Sequence, residues 1–300
     1  MKILVCSDGH PQAENAIRFI AGTAAACDAE VILLGIIEHP SDEASLLDAL
    51  RRGASILRDK HVAVEMVTRT GDPIEEIQKR TQEENFDLVV IGAEQKSNGG
   101  PFALSTKVYH LIKEVEPPVL VMIGKRPNLQ HILICSGGKR YIDNAVRLTG
   151  QIACKSHLNV TILHVMAEPP AIYTNMIASE TDVSRLLSSN SALGRNLRSE
   201  QSALESTGVK ASIKLRHGLV VREILTELKT GDYDMVVTGS ALAGGALRTY
   251  IMGDVTSEIV NRAQRPVLVV RGGEEHPSSG FFGKLLHFFS SFAGNVNSKT

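Results

Sequence analysis

The sequence predicts an α/β protein built from two tandem doubly wound domains, each a five-stranded parallel sheet, and three observations carry that expectation. Short runs that are apolar throughout, such as Ile3-Leu4-Val5-Cys6 and Val31-Ile32-Leu33-Leu34, alternate with longer segments of helical periodicity. Strands of that kind belong to a sheet covered on both faces. The chain also repeats itself: Glu14-Asn15-Ala16-Ile17-Arg18-Phe19 returns 129 positions later as Asp143-Asn144-Ala145-Val146-Arg147-Leu148. Phe86-Asp87-Leu88-Val89-Val90-Ile91-Gly92 returns 147 positions later as Tyr233-Asp234-Met235-Val236-Val237-Thr238-Gly239, as does Gly71 with Glu76 in Gly218 with Glu223. Finally, 300 residues is enough for two ordinary domains with real cores.

In order, the first strand runs into the turn Ser7-Asp8-Gly9-His10-Pro11, and apolar residues at 13, 16, 17, 20, 21 and 24 then mark an amphipathic helix with Pro in its first turn. The run 31–37 is a second strand, 44–57 a helix, 62–67 a weakly alternating third strand and 73–82 a helix. Leu88-Val89-Val90-Ile91 is a fourth strand ending at Gly92; a helix through Val108, Leu111 and Ile112 leads to the fifth, Val119-Leu120-Val121-Met122. The second copy repeats this from His131 to Val270, with an 18-residue insertion within 167–208. The domains are expected at 1–125 and 130–271, joined by the short Pro-containing segment 125–130, which favours halves held against each other. An apolar last strand left at an edge would invite aggregation, so 119–122 is expected to pack against 267–270.

Composition narrows the class. With 43% hydrophobic and 22% charged residues and a net charge of −1, the chain has no electrostatic footprint for nucleic acid. The first apolar run is too short for a signal-peptide core and no apolar stretch is long enough to span a bilayer, so a cytoplasmic protein is expected. The four cysteines have no metal-like spacing and read as buried, reduced side chains. The histidines are scattered, with no ligand cluster, so no metal site is evident. There is no Gly-x-Ser-x-Gly elbow and no Walker sequence to carry hydrolase or P-loop chemistry.

Val5-Cys6-Ser7-Asp8-Gly9, the strand end Leu163-His164-Val165, the fourth strands led by Asp87 and Asp234, and the Pro-Val-Leu-Val strands at Pro118 and Pro266 together resemble tandem universal stress proteins, over nearly all of 1–271. The resemblance implies the adenine nucleotide alpha hydrolase-like fold, an internal pseudo-dimer joined through the last strands, and a non-enzymatic stress-response or regulatory role. It also implies ATP or AMP at the carboxyl ends of the first and fourth strands, where open α/β sheets bind ligands. The family's phosphate pattern is Gly, two residues, Gly, nine residues, Gly, then Ser or Thr. In the first copy Gly92 and Thr106 keep their places, whereas Gln95 and Ser105 stand at the later glycines; Asp8 and Ile36 match the adenine side. In the second, Val165, Gly239 and Gly253 remain, but Gly137 replaces the Asp, Leu242 stands at the second Gly and Asp254 replaces the hydroxyl. Any nucleotide is therefore expected in the first copy, at Asp8, Ile36, Gly92, Ser105 and Thr106. The competing readings are an interaction scaffold that binds no nucleotide and, last, a nucleotide-hydrolysing enzyme. Ser136-Gly137-Gly138-Lys139 also resembles the start of the pyrophosphate loop of ATP pyrophosphatases, but Arg140 and Tyr141 break that motif.

Outside both repeats, 272–300 reads as a polar linker followed by an amphipathic helix at 281–292, with Phe281, Leu285, Phe288, Phe289 and Phe292 on one stripe. It is expected to serve association more than folding. Its candidate contacts, in order, are the protein's own body or a twin subunit, an unidentified protein partner, and a membrane interface.

Overall fold

The computed structural model describes residues 1–93, 106–126, 128–138, 142–168, 179–240 and 254–272. The first half runs β1 (Lys2–Ser7), α1 (Pro11–Ala26), β2 (Glu30–Ile37), α2 (Glu43–Arg58), β3 (Ala63–Thr70), α3 (Pro73–Glu83), β4 (Leu88–Ala93), α4 (Thr106–Glu114) and β5 (Val119–Ile123). The second runs β6 (His131–Ser136), α5 (Asp143–Ser156), β7 (Asn159–Met166), α6 (Ser179–Ser188), α7 (Ala192–Glu205), β8 (Lys210–His217), α8 (Val220–Thr230), β9 (Met235–Ser240), α9 (Asp254–Arg262) and β10 (Val267–Arg271).

All ten strands form one sheet in the order β3-β2-β1-β4-β5-β10-β9-β6-β7-β8. Pairing is parallel within each half and antiparallel only at the seam, where Val267, Leu268 and Val269 face Val121, Leu120 and Val119. The last strands thus meet as the sequence predicts, and both are almost wholly buried. Across the seam α1 also packs on α5, and the Arg271 guanidinium donates to the carbonyls of Ile112 and Lys113. The outer strands that remain, β3 and β8, are the most exposed in the sheet and carry Glu65, Arg69, Lys210 and Lys214, the charged dress that discourages further strand addition.

Helices cover both faces. One core gathers Ile3, Val5, Leu33, Ile134 and Ile162 under α1, α2, α5 and α7; the other gathers Leu4, Leu34, Val89, Leu133 and Val236 under α3, α4, α8 and α9. Alternate residues of one strand serve opposite cores, which is why these strands are apolar throughout.

Several repeated residues prove to be structural. Asp87 accepts from the Lys2 N–H (2.8 Å), and Asp234 likewise from Gln130 and His131 (2.8 and 3.0 Å), so each aspartate ties the start of its half's first strand to its fourth. Gly71 and Gly218 have φ of +148° and +138°, and Glu76 and Glu223 lie where a Cβ would stand, 3.3 and 3.1 Å away at Cγ. Those glutamates pair with Arg69 and Arg216.

The insertion is realised in part as α6, an extra helix before α7, while α7 takes the place that α2 holds in the first half, packing on α5 as α2 packs on α1. The third strand extends to Thr70, beyond the predicted end, because pairing with β2 along its whole length supplies what its half-exposed pattern lacks. All four cysteines are free, but only Cys6 is buried; Cys27, Cys135 and Cys154 are half-buried, which corrects the expectation for those three. The segment 281–292 lies outside the described residues.

Candidate functional site

The strand order makes β1 and β4 the switch point of the first half. The chain leaves β1 toward β2 and β3 and returns on the other side of β1 as β4. Adjacent loops there diverge and leave a crevice at the carboxyl ends. Register levels Ser7 with Gly35 across β2 and Cys6 with Ile91 across β4, so Asp8, Ile36 and Gly92 come together at one edge of the sheet. Thr106 is the first residue of α4, which follows β4 and starts at the same edge. Ser105, like Gly253 in the second half, lies outside the described residues.

Each residue can be weighed against its local duty. Asp8 is exposed; its Oδ1 accepts from the His10 N–H at 3.0 Å in the turn that opens α1. In the same turn the Gly9 N–H donates to Ser7 Oγ (3.2 Å) and Gly9 has φ +85°. The second half builds the same turn, with the Gly138 N–H on Ser136 Oγ (3.1 Å) and Gly138 at φ +70°. Ser and Gly therefore recur to make the turn, whereas Asp8, replaced by Gly137, is not needed for it. Gly92 has a packing reason to be glycine, since a Cβ there would lie 2.6 Å from the Gln12 carbonyl carbon. Gly239 has none, its nearest neighbour being Ile142 at 3.6 Å. Ile36 is buried among the apolar residues of one core, so any contact it offers comes through its backbone.

One feature escaped the sequence. Lys107, next to Thr106 in the first turn of α4, reaches Glu38 just beyond β2, Nζ to Oε2 2.8 Å, at the same end of the sheet as Asp8. Its pKa is raised, by the Glu38 hydrogen bond first, against the opposing effect of burial, with the charges of Asp72 and Asp8 adding. A cation at a helix start above the switch point is suited to an anionic group. The signal in the sequence was a lysine beside the hydroxyl, with a partner 69 residues away that spacing could not supply.

The second half ties down the turn that follows its first strand. Glu200, on α7, is 4% exposed, and its Oε1 accepts from Ser136 Oγ at 2.9 Å. His164 Nδ1 donates to the Ser136 carbonyl (2.8 Å) and Asn196 Nδ2 to the Gly138 carbonyl (2.8 Å). The residues that resembled a pyrophosphate loop are thus tied down as far as Gly138; Lys139 to Tyr141 lie outside the described residues. Glu200 occupies the place that Gly53 holds on α2, where a Cβ would meet Ile17 Cδ1 at 2.5 Å. The larger residue on α7 is matched by the smaller Val146 on α5 where α1 has Ile17. Burial, then the nearby Asp143, pushes the Glu200 carboxyl up to about 7, against the Ser136 hydrogen bond. Asp254 is exposed as the first residue of α9, and Val165 is half-buried at the end of β7. Thr256 spends its hydroxyl on the Gly239 carbonyl and Thr238. The two halves thus differ at the carboxyl ends of their first strands: Asp8 is exposed with Lys107 nearby in the first, while the second has Gly137, the buried Glu200 and the exposed Asp254.

Among the described residues no group of three or more His, Cys, Asp or Glu side chains is placed to hold a metal, and no helix is long and apolar enough to cross a membrane.

Solved structures share this architecture. A universal stress protein from Archaeoglobus fulgidus DSM 4304 is 16% identical with a TM-score of 0.66, the match covering 91% of this chain and 98% of that one. A functionally unknown protein from Pseudomonas aeruginosa PAO1 is 17% identical with a TM-score of 0.63, covering 97% of both chains. The cytoplasmic domain of a prokaryotic cation chloride cotransporter is 12% identical with a TM-score of 0.53, covering 91% and 96%. At such identities the likeness is one of fold. Comparison with curated proteins finds no match. The model of the universal stress protein family matches residues 1–122 and again 128–271, and with the repeat, the shared sheet and the seam between last strands, the chain belongs to that family.

Proposed function

We propose that this chain is a non-enzymatic stress-response or regulatory protein with unlike halves, 1–125 and 130–271, and that the first binds ATP or AMP. The base would lie against Asp8 and the backbone at Ile36, and the phosphates near Gly92, Ser105, Thr106 and Lys107. The observation that carries this reading is the asymmetry between the two crevices: in the first half Asp8 is exposed at the switch point with Lys107 nearby. In the second, Gly137 replaces the aspartate, Val255 stands where Lys107 does, and the turn is tied down by Glu200, His164 and Asn196.

Calorimetry on the intact chain tests it. Binding of ATP or AMP is expected, and Asp8→Ala and Thr106→Ala should each weaken it by about 1–3 kcal/mol, the cost of losing a buried hydrogen bond to ligand. Lys107→Ala should weaken ATP more than adenosine. Unchanged affinity in both the Asp8 and Thr106 variants would reject the site, and absence of binding by the unaltered chain would favour the scaffold. Turnover of ATP above that of Asp8→Ala would favour the enzyme.

A further inference from the structure

Four large hydrophobic side chains stand exposed among the described residues, and three of them, Leu219 (72%), Val220 (42%) and Val255 (39%), belong to the second half. Leu219 and Val220 open α8, which follows β8; Val255 is in the first turn of α9, which follows β9. Helices in such a sheet run back against their strands, so both begin at the carboxyl edge, and α8 and α9 pack together.

The first half supplies a control. Where the second has Leu219 and Val220, the first has Asp72 and Pro73, and the second residue of α4 is Lys107 where α9 has Val255. Asp72 caps α3, its Oδ1 accepting from the Ile74 and Glu75 N–H groups at 2.9 and 3.2 Å; Leu219 gives α8 no side-chain cap. An N-cap aspartate and a paired lysine are what folding favours at these places, so exposed apolar residues there serve something else.

The chain itself offers an occupant. β10 runs parallel to β9 and therefore ends at this same carboxyl edge, and the apolar stripe begins at Phe281 after the eight residues 273–280. From β10 to β8 is four strand spacings in the order β10-β9-β6-β7-β8, about 19 Å. Eight extended residues reach roughly 27 Å. The edge of the first half, with Asp72 and Lys107, is farther from this C-terminus and polar.

We infer that residues 281–292 dock through their Phe and Leu stripe on the apolar edge formed by Leu219, Val220 and Val255 of the same chain. The docking covers the carboxyl edge of the second half only, and it is independent of whether the first half holds a nucleotide.

The test is intrachain photocrosslinking in the full-length protein carrying benzoylphenylalanine in place of Phe288. Crosslinks within one chain to peptides containing Leu219–Val220 or Val255 are expected. The double variant L219D/V255K, which restores the residues of the first half, should cut their yield at least ten-fold without lowering the melting temperature, since aspartate caps α8. Mixing isotopically labelled and unlabelled protein separates the alternatives. Crosslinks between chains, crosslinks that appear only with anionic vesicles, crosslinks elsewhere on the body, absence of any crosslink, or a yield unaffected by L219D/V255K would each overturn the inference.

Discussion

Replacing Glu200 by glutamine is expected to raise the stability of the protein at pH 8 and to leave it nearly unchanged near pH 4. The carboxyl is buried and one of its oxygens, Oε2, has no hydrogen-bond partner among the described residues, so ionisation there is poorly compensated. Its pKa rises from 4.5 to about 7, chiefly through burial. A carboxyl whose folded pKa is raised binds its proton more tightly when folded, so stability falls as pH rises between those values. The penalty is absent below 4.5 and complete above about 7, where it amounts to about 3 kcal/mol at 1.36 kcal/mol per pH unit. Glutamine keeps an acceptor for Ser136 Oγ and cannot ionise. Urea denaturation of both proteins from pH 4 to pH 8 measures the difference; a gap that does not widen with pH would show that Glu200 is solvated or neutralised by another group.

The opposite result is expected at Glu227. This residue of α8 is fully buried, and its Oε1 accepts from Lys214 Nζ at 2.7 Å and from the Tyr233 hydroxyl at 2.8 Å, while Arg216 Nη1 donates to Oε2 at 2.7 Å. Burial pushes its carboxyl up, but the hydrogen bonds from Lys214, Tyr233 and Arg216 outweigh it, and the pKa falls below the usual value. The first half solves the same packing problem with inverted charge: Arg80 stands there, 5.3 Å from the centre of the Phe86 ring and paired with Glu84. Glu227→Leu would strand the Tyr233 hydroxyl and two cations. Breaking a buried pair costs about 3–5 kcal/mol, and the lower end applies because Lys214 is half exposed and Arg216 keeps Glu223. With a lowered folded pKa, the contribution of Glu227 is complete above 4.5 and lost as pH falls through the folded value. The deficit of the leucine variant should therefore shrink in acid; a deficit constant from pH 7 to pH 3 would mean that packing, not charge, is what the variant loses.

The sequence is most legible where a residue's reason is local. Apolar runs, Pro11 in the first turn of α1 and the recurring Ser-x-Gly turns each announce their element within a few positions, so the strands and their order along the chain were legible. The half-exposed edge strand β3 was underestimated because its length depends on pairing with β2. At the site, Asp8, Ile36 and Gly92 were legible as strand ends, but Lys107–Glu38 and Ser136–Glu200 join residues 69 and 64 positions apart. The one trace of the second pair was Glu200 on an otherwise apolar helix face, where the repeat has Gly53. What recurs, as in Asp87 and Asp234 or Gly71 and Gly218, holds the fold, and what differs, as in Asp8 and Gly137, carries the candidate chemistry.

The antiparallel seam between β5 and β10 has a thermodynamic meaning of its own. Two separate subunits joined this way would part on dilution, and every substitution would enter both at once. Here a short linker sets the effective concentration of one half at the other, of millimolar order for such tethers, whatever the protein concentration. The association is in practice permanent, and its partners are always the unlike pair. A costly residue such as Glu200 is therefore borne once, with an intact neighbour to hold the shared sheet together, and that is the condition under which the two halves can diverge, one keeping Asp8 where the other has Gly137.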